Sequence, residues 1–381
     1  MFNASSWLYT RLVDLYWLLQ FGLIRLLIPL ISMAVRLVRC DNNTNNSSVW
    51  FYSDGCMPRE KKLAEALIQA GFTVELLTSN SSVTQAYAQH FSGIKVFSST
   101  WKATLFLLRN INQNQLVHVF VYGRYGLPWL LHYLGHKKWI LDPYDVLAAY
   151  QGSHLEASSI KCWLERQCMS AAPAICCRNL ELQLIKRRYG RILPPSIFFP
   201  EYPSSIRSSH NNQLRFHQTG IHSMIYGGGM YDQLMKPILE LLNQQEYATL
   251  TLCASAQQVA ALNGVQPFLK DGKIKHKGLV EYDEFMMLCQ QHQVGVLLLD
   301  QSFQKKMRYA MANKLWDYVS AGLIPLIQKE HFCCWLLSRY GFLLAYCATS
   351  GHTHPKQGFN SADRLIMGNN IHRLINFYKD L

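Results

Sequence analysis

Residues 311–327 read MANKLWDYVSAGLIPLI, and this segment contains the side chains best suited to holding a charged ligand. A helix is predicted here, with Asn313, Lys314 and Asp317 in its first turns and Gly322 near its end, before a short apolar strand. The N-terminus of a helix offers free N–H groups and positive potential, which suit a diphosphate. The alternative is an ordinary amphipathic helix with a solvated lysine and aspartate.

Glycines and cations elsewhere in the second half of the chain suit the same ligand. The triplet 227–229, which includes Gly228 and Gly229, follows a predicted strand, and Lys236 comes shortly after it. Glycines let the backbone approach phosphate oxygens closely. Arg308 ends a cationic cluster that could also bind phosphate. A plain turn and a solvated loop are the respective alternatives.

Polar residues also follow predicted strands in the first half of the chain. A carboxylate at such a strand end, Asp142 or Asp145, could take the proton of an acceptor hydroxyl. The forked donors of Arg124 match phosphate oxygens. Alternatively, Asp142 belongs to a strand-end turn and Asp145 caps a helix. The first strand is followed by a short polar loop made of Ser53, Asp54 and Gly55.

Alternating strands and helices predict the elements that position these residues. The pattern indicates an α/β protein with two doubly wound, Rossmann-like domains, each built on a parallel sheet. Ligands of such sheets bind at the carboxyl ends of the strands. The predicted segments are a membrane-associating helix (1–40), a linker (41–48), an acceptor domain (49–205), a nucleotide-sugar domain (213–350) and a C-terminal helix (361–381).

Composition limits the partners of the protein. With 37 Lys and Arg against 24 Asp and Glu, the net charge of +13 favours a polyanionic partner. The sequence has no nucleic-acid recognition signature, so an anionic membrane surface or a phosphorylated substrate is expected instead. Eleven cysteines without a C-x-x-C pair indicate a reducing compartment.

The segment that begins at Lys314 resembles the K-L-x-E-Y-x-x-x-G-x-P signature of GT-B glycosyltransferases, especially the family-4-like group (glycosyl transferases group 1). The stretch 275–300 is similar to a second block of that family, with Gly278, Val280, Glu284 and Gly295 in matching places. The resemblance implies two Rossmann-like domains that use a sugar linked to UDP or GDP as donor, and no cofactor.

The resemblance also implies roles for individual residues. Asp317 would contact the ribose hydroxyls, and Lys314 would lie near the diphosphate. Backbone around Val280 and Glu281 would meet the base. The glycine triplet would approach the phosphates, with Lys236 as a nearby cation.

Two departures from the family pattern stand beside these implied roles. Asp replaces Glu at position 317, and Tyr309 stands where the family has a second acid. The sequence also contains no D-x-D triplet, the motif with which another glycosyltransferase architecture holds a divalent metal. We therefore expect a metal-independent site in which a helix N-terminus and basic side chains carry the leaving-group charge.

The apolar segment 7–38 contains a narrow stripe of charges. At about 100° per residue, Arg11, Asp14, Arg25 and Arg36 fall on one side of a helix. This pattern predicts a helix that lies on the cytoplasmic face of the inner membrane without crossing it. A transmembrane span and a helix packed on the protein's own surface are the alternatives.

These observations together predict a glycosyltransferase that acts in bacterial polysaccharide or glycolipid assembly. It would use a nucleotide-sugar donor and a lipid-linked or membrane-proximal acceptor. The alternatives are a catalytically inactive GT-B domain that serves as a membrane-bound assembly partner, and a GT-B sugar-nucleotide epimerase.

Overall fold

The structure is a computed structural model, and the chain forms two compact units. The first comprises Met1–Pro200 with Ile371–Leu381, and the second comprises Glu201–Asn370. The residues that the structure describes are 15, 19, 48–53, 58–80, 85–111, 114–121, 126–133, 135–144, 159–177, 194–200, 202, 221–298, 313–327, 333–334, 337, 345–346 and 367–381. No helix within these ranges has both the length and the apolar character needed to cross a membrane.

A parallel seven-stranded sheet in the order β3-β2-β1-β4-β5-β6-β7 forms the centre of the first unit. Its strands are β1 (Ser48–Tyr52), β2 (Thr73–Thr78), β3 (Gly93–Val96), β4 (Leu116–Val121), β5 (Trp139–Pro143), β6 (Ala174–Cys177) and β7 (Ser196–Phe198). The central strand β4 reads LVHVFV and is buried throughout, as expected where helices cover both faces of a parallel sheet.

Helices connect the strands of the first unit. They are α1 (Pro58–Gln69), α2 (Gln85–Ala88), α3 (Thr100–Asn110), α4 (Gly126–Tyr133) and α5 (Ser159–Ala171). Helix α3 begins where the side chain of Ser99 accepts a hydrogen bond from the backbone N–H of Lys102. Leu107, Leu131 and Met169 are among the buried residues with which these helices cover one face of the sheet.

The second unit contains a six-stranded sheet in the order β10-β9-β8-β11-β12-β13, again parallel. Its strands are β8 (Ser223–Gly227), β9 (Thr249–Cys253), β10 (Ile274–His276), β11 (Val294–Leu297), β12 (Ile324–Ile327) and β13 (Ala345–Tyr346). The helices are α6 (Asp232–Gln244), α7 (Ala256–Ala260), α8 (Gln266–Lys270), α9 (Tyr282–Gln290) and α10 (Asn313–Ala321). Gly228, at φ +100°, follows β8 directly.

The last helix, α11 (Met367–Lys379), extends into the first unit, which includes the chain from Ile371 onward. Its periodic pattern predicted the helix but gave no information about which unit it joins. The sequence pattern predicts a helix over 237–243, whereas α6 begins at Asp232, so Pro237 lies inside the helix. The sequence pattern also predicts a helix over 180–189, and this range lies outside the described residues.

Candidate functional site

Lys314 lies in the first turn of α10 and reaches the strand end of β8. Its Nζ donates to the Tyr226 hydroxyl at 2.6 Å and lies 4.2 Å from the centre of that ring. The Tyr226 hydroxyl in turn donates to the Gly229 carbonyl at 2.7 Å. Burial lowers the pKa of Lys314 to about 8, although Tyr231 and Asp317 favour the charged form. Two hydrogen bonds in series, through the Tyr226 hydroxyl, therefore connect Lys314 to the Gly229 carbonyl.

Residues 227–229, which we name the glycine loop, tolerate little beyond glycine at two positions. A Cβ at Gly227 would collide with the Phe285 ring, and one at Gly228 would lie 3.0 Å from Lys314 Cε. Gly228 also has the positive φ that L-residues rarely adopt. Gly228 and Gly229 are exposed. The backbone of the loop is therefore close to the lysine and accessible from solvent.

Asp317 lies one helical turn after Lys314, on the same side of α10. It is only 6% exposed, and its Oδ1 accepts a hydrogen bond from the Tyr282 hydroxyl at 2.7 Å. Tyr282 is the first residue of α9, so this bond joins the start of α9 to the second turn of α10. The structure thereby brings Lys314, Asp317 and the glycine loop into one neighbourhood.

The other residues predicted for this site are more dispersed. Asn313 begins α10 and is half-buried, and Lys236 is exposed on α6. Val280 is half-buried, and Glu281 is the exposed N-cap residue of α9 without a side-chain cap hydrogen bond. Arg308 lies outside the described residues. The roles of these five residues stay predictions.

Asp142 lies at the end of β5, as the sequence pattern predicted, but in a different environment. It is 1% exposed, and its Oδ2 accepts from Arg59 Nε at 3.0 Å, Arg59 Nη2 at 2.8 Å and His118 Nε2 at 3.0 Å. These contacts are those of a buried ion-pair partner. The catalytic role expected for Asp142 stays a prediction.

His118 extends this group of buried polar side chains to the C-terminal helix. An ionised carboxylate only accepts, so Nε2 of His118 donates to Asp142, and in the neutral ring Nδ1 accepts from the Tyr378 hydroxyl at 2.6 Å. Burial lowers the pKa of His118 despite the neighbouring carboxylate. Burial alone would raise the pKa of Asp142, but Arg59 and His118 outweigh it and hold that pKa below its usual value.

Arg59, His118, Asp142 and Tyr378 together form what we name the buried ion-pair centre. His118, Asp142 and Cys176 also carry potential metal-ligating atoms within 4.8 Å of one another. Arg59, however, already supplies a cation, with Nη2 2.8 Å from Asp142 and 3.5 Å from Cys176 Sγ. Burial also raises the pKa of the Cys176 thiol, which opposes the thiolate that a metal requires. The geometry is that of an ion pair.

The remaining residues predicted in the first unit are only partly described. Ser53 is buried, and its hydroxyl donates to Glu60 at 2.6 Å, so it fastens the end of β1 to α1. Asp54, Gly55, Arg124 and Asp145 lie outside the described residues. The catalytic roles of Arg124 and Asp145 stay predictions. Sequence reasoning missed Arg59 and His118, although a histidine within the apolar strand LVHVFV is a signal of a buried polar contact.

No protein-family model and no curated protein sequence matches the chain. Solved structures do match. Sucrose-phosphate synthase from Thermosynechococcus elongatus matches with a TM-score of 0.56 at 11% identity, over 87% of this chain and 95% of that one. AviGT4, a glycosyltransferase involved in avilamycin A biosynthesis, has a TM-score of 0.54 at 11% identity, over 87% and 97%. Anabaena HepE, in complex with UDP-glucose, has a TM-score of 0.53 at 11% identity, over 87% and 90%.

These matches establish the fold of the chain. They span most of each protein and include both parallel-sheet units, so the chain has the GT-B fold of nucleotide-sugar glycosyltransferases. The prediction of two Rossmann-like α/β domains is confirmed at this level.

Proposed function

We propose that the protein is a glycosyltransferase that moves a sugar from a UDP- or GDP-linked donor to a lipid-linked or membrane-proximal acceptor, in bacterial polysaccharide or glycolipid assembly. The observation that carries this proposal is the grouping of Lys314, Asp317 and the glycine loop at the strand ends of the second unit. A cation, a carboxylate and exposed glycine backbone are the groups that a nucleoside diphosphate requires.

The donor diphosphate would bind between Lys314 and the glycine loop. The loop exposes backbone at Gly228 and Gly229, and the start of α10 adds the positive end of a helix dipole. As the bond to the sugar breaks, negative charge grows on the leaving diphosphate, and these fixed groups would stabilise it. We therefore propose that transfer is metal-independent.

Asp317 would accept hydrogen bonds from the ribose hydroxyls, and the backbone at Val280 and Glu281 would contact the base. Asp317 is suited to this role because it lies one turn from Lys314, which matches the succession of ribose and diphosphate in a nucleotide. Anabaena HepE binds UDP-glucose on the same fold, which supports a UDP-sugar as donor. In the first unit, Arg124 and Asp145 remain our proposed acceptor-side residues.

Membrane attachment is proposed for the N-terminal segment. Leu15 and Leu19 are helical and lie four positions apart, hence on one helix face, and they are 52% and 60% exposed. Exposed leucines on one face, together with the net charge of +13, suit a helix that lies on an anionic membrane surface. We propose that this surface is the cytoplasmic face of the inner membrane.

One alternative has a specific observation in its favour. Tyr309 occupies the position where the GT-B family has an acid, so a catalytically inactive assembly partner is the second candidate function. Calorimetric titration of the full chain with UDP and GDP, followed by a donor-hydrolysis assay with UDP- and GDP-sugars, tests both. Binding with turnover supports the enzyme, and binding without turnover in the presence of lipid-linked acceptors supports the inactive partner. Binding of neither nucleotide contradicts the proposed enzyme.

A further inference from the structure

Tyr282 is the residue on which this inference depends. It follows Val280 and Glu281 directly and begins α9, and its hydroxyl donates to Asp317 Oδ1 at 2.7 Å. No residue role was expected at this position from the sequence. The contact joins positions that are 35 residues apart in the chain and lie on two different helices.

The helix that carries Tyr282 packs against the site. One turn further along α9, the Phe285 ring fills the space where Gly227 has no Cβ. The same ring lies 6.4 Å from the ring of Tyr318, the neighbour of Asp317 on α10. Because packing fixes both helices, the Tyr282 hydroxyl is a fixed donor rather than a mobile one.

A fixed donor at one oxygen determines the direction of the whole carboxylate. Asp317 has a short side chain and is almost buried, so rotation about its last bond is the main freedom it retains. The bond from Tyr282 turns Oδ1 toward α9, and the position of Oδ2 then follows from the planar geometry of the group. A carboxylate held in one orientation presents its remaining lone pairs without an ordering cost when a ligand arrives.

We propose that Tyr282 is a positioning residue that acts through Asp317 and sets the preference of the site for a ribose with its hydroxyls. This inference rests on the proposed function, since it assumes that a nucleoside diphosphate binds here. Tyr282 also links the segment that would contact the base with the residue that would contact the ribose. Removing the Tyr282 hydroxyl should therefore weaken the binding of ribonucleotides specifically and leave the diphosphate contacts of Lys314 in place.

The test compares UDP with dideoxy-UDP, which lacks both ribose hydroxyls, by calorimetric titration of the full chain. If the wild-type protein prefers GDP, GDP and dideoxy-GDP are used instead. Tyr282→Phe should weaken UDP binding about three- to tenfold, the value of one hydrogen bond, and change dideoxy-UDP binding by less than about twofold. Tyr247→Phe, at a tyrosine of the same unit that is 72% exposed, is the matched control and should leave both affinities unchanged.

A double-mutant cycle shows whether Tyr282 acts through the carboxylate. In an Asp317→Asn background, adding Tyr282→Phe should produce no further loss of UDP affinity, since the residue it positions is already impaired. Melting temperatures and circular dichroism of every variant verify that it is folded. Asp317→Asn alone should abolish the preference for UDP over dideoxy-UDP, which provides a second measurement if Tyr282→Phe is poorly folded.

The outcomes separate the two proposals. If the wild-type protein binds neither UDP nor GDP, the proposed function fails, and this inference fails with it. If the wild type binds a nucleotide but Tyr282→Phe lowers the affinities for the ribonucleotide and the dideoxynucleotide equally, only the role of Tyr282 is overturned. The role of Tyr282 would also be overturned if Tyr282→Phe caused an additional loss of UDP affinity in the Asp317→Asn background. An unchanged preference for UDP over dideoxy-UDP in Asp317→Asn itself would overturn it as well.

Discussion

Replacing Asp142 with asparagine would remove the negative charge from the buried ion-pair centre while keeping the size of the side chain. Arg59 would then remain in a 0% exposed position, with Nε and Nη2 facing a neutral amide instead of a carboxylate. Removing one partner of a buried ion pair costs about 3–5 kcal/mol, because the other charge stays buried without compensation. Typical total stabilities are about 5–15 kcal/mol, so this single change should be severe.

Urea unfolding followed by tryptophan fluorescence measures this loss, since Trp50 and Trp139 are buried in the first unit and Trp316 is buried in the second. Asp283→Asn, at an exposed carboxylate of α9, is the matched control and should change stability by less than about 0.5 kcal/mol. The double variant Arg59→Met with Asp142→Leu should recover much of the loss, because apolar replacement of a buried pair is often nearly neutral.

The same experiment decides between a structural and a catalytic Asp142. A loss below about 1 kcal/mol for Asp142→Asn would refute the argument from burial and pairing. If such a stable variant also lost sugar transfer, the catalytic role expected from the sequence would be supported. A destabilised variant whose folded fraction still transfers sugar would confirm the structural role.

Other predictions concern the donor site, the core and the N-terminal segment. The pKa of Lys314 is about 8, and a bound diphosphate favours the charged lysine, so UDP affinity measured by calorimetry should fall about tenfold between pH 7 and pH 9. Lys314→Met should weaken UDP binding and remove this dependence on pH. Gly227→Ala should cost about 1–3 kcal/mol in urea unfolding, because its methyl group meets the Phe285 ring; an unchanged midpoint would contradict that contact. The lowered pKa of His118 keeps its ring neutral in the folded protein, whereas the same ring in the unfolded chain binds a proton below about pH 6.5. The free energy of unfolding should therefore fall as the pH falls from 7 to 5.5, and it should fall less steeply in His118→Asn. Removing residues 1–40 should abolish co-flotation with anionic phospholipid vesicles, and equal flotation of both forms would refute attachment through this segment.

The sequence pattern predicted the fold well because both sheets are built from short apolar strands that alternate with helices. The apolar runs at 174–177 and 324–327 predict strands, and these are the bounds that β6 and β12 have in the structure. The edge strand β3 was missed because its sequence GIKV is half exposed and lacks the apolar character of the interior strands. Strand β7 has only three residues and was missed for lack of length.

The candidate donor site was predictable as far as it is local in sequence. Lys314 and Asp317 belong to one helix, and their spacing places them on one side of it. Their partners Tyr226 and Tyr282 were not predictable, because these tyrosines are 88 and 35 positions away and only the folded sheet brings them close. The contacts of Asp142 were not predictable for the same reason, since Arg59 precedes it by 83 positions.

Each unit has a charged side chain near the end of a strand, and the neighbours of the two charges differ. In the first unit, Arg59 and His118 compensate the charge of Asp142, and the carboxylate is buried. In the second unit, Lys314 donates to a neutral hydroxyl and lies over an aromatic ring, beside the exposed backbone of Gly228. A carboxylate that an arginine neutralises stabilises the fold. Lys314 instead donates its hydrogen bond to a neutral hydroxyl beside exposed backbone, and with Asp317 favouring its charged form it keeps its attraction for an anion. This contrast is the physical reason for placing the donor diphosphate at Lys314 and for assigning Asp142 to the core.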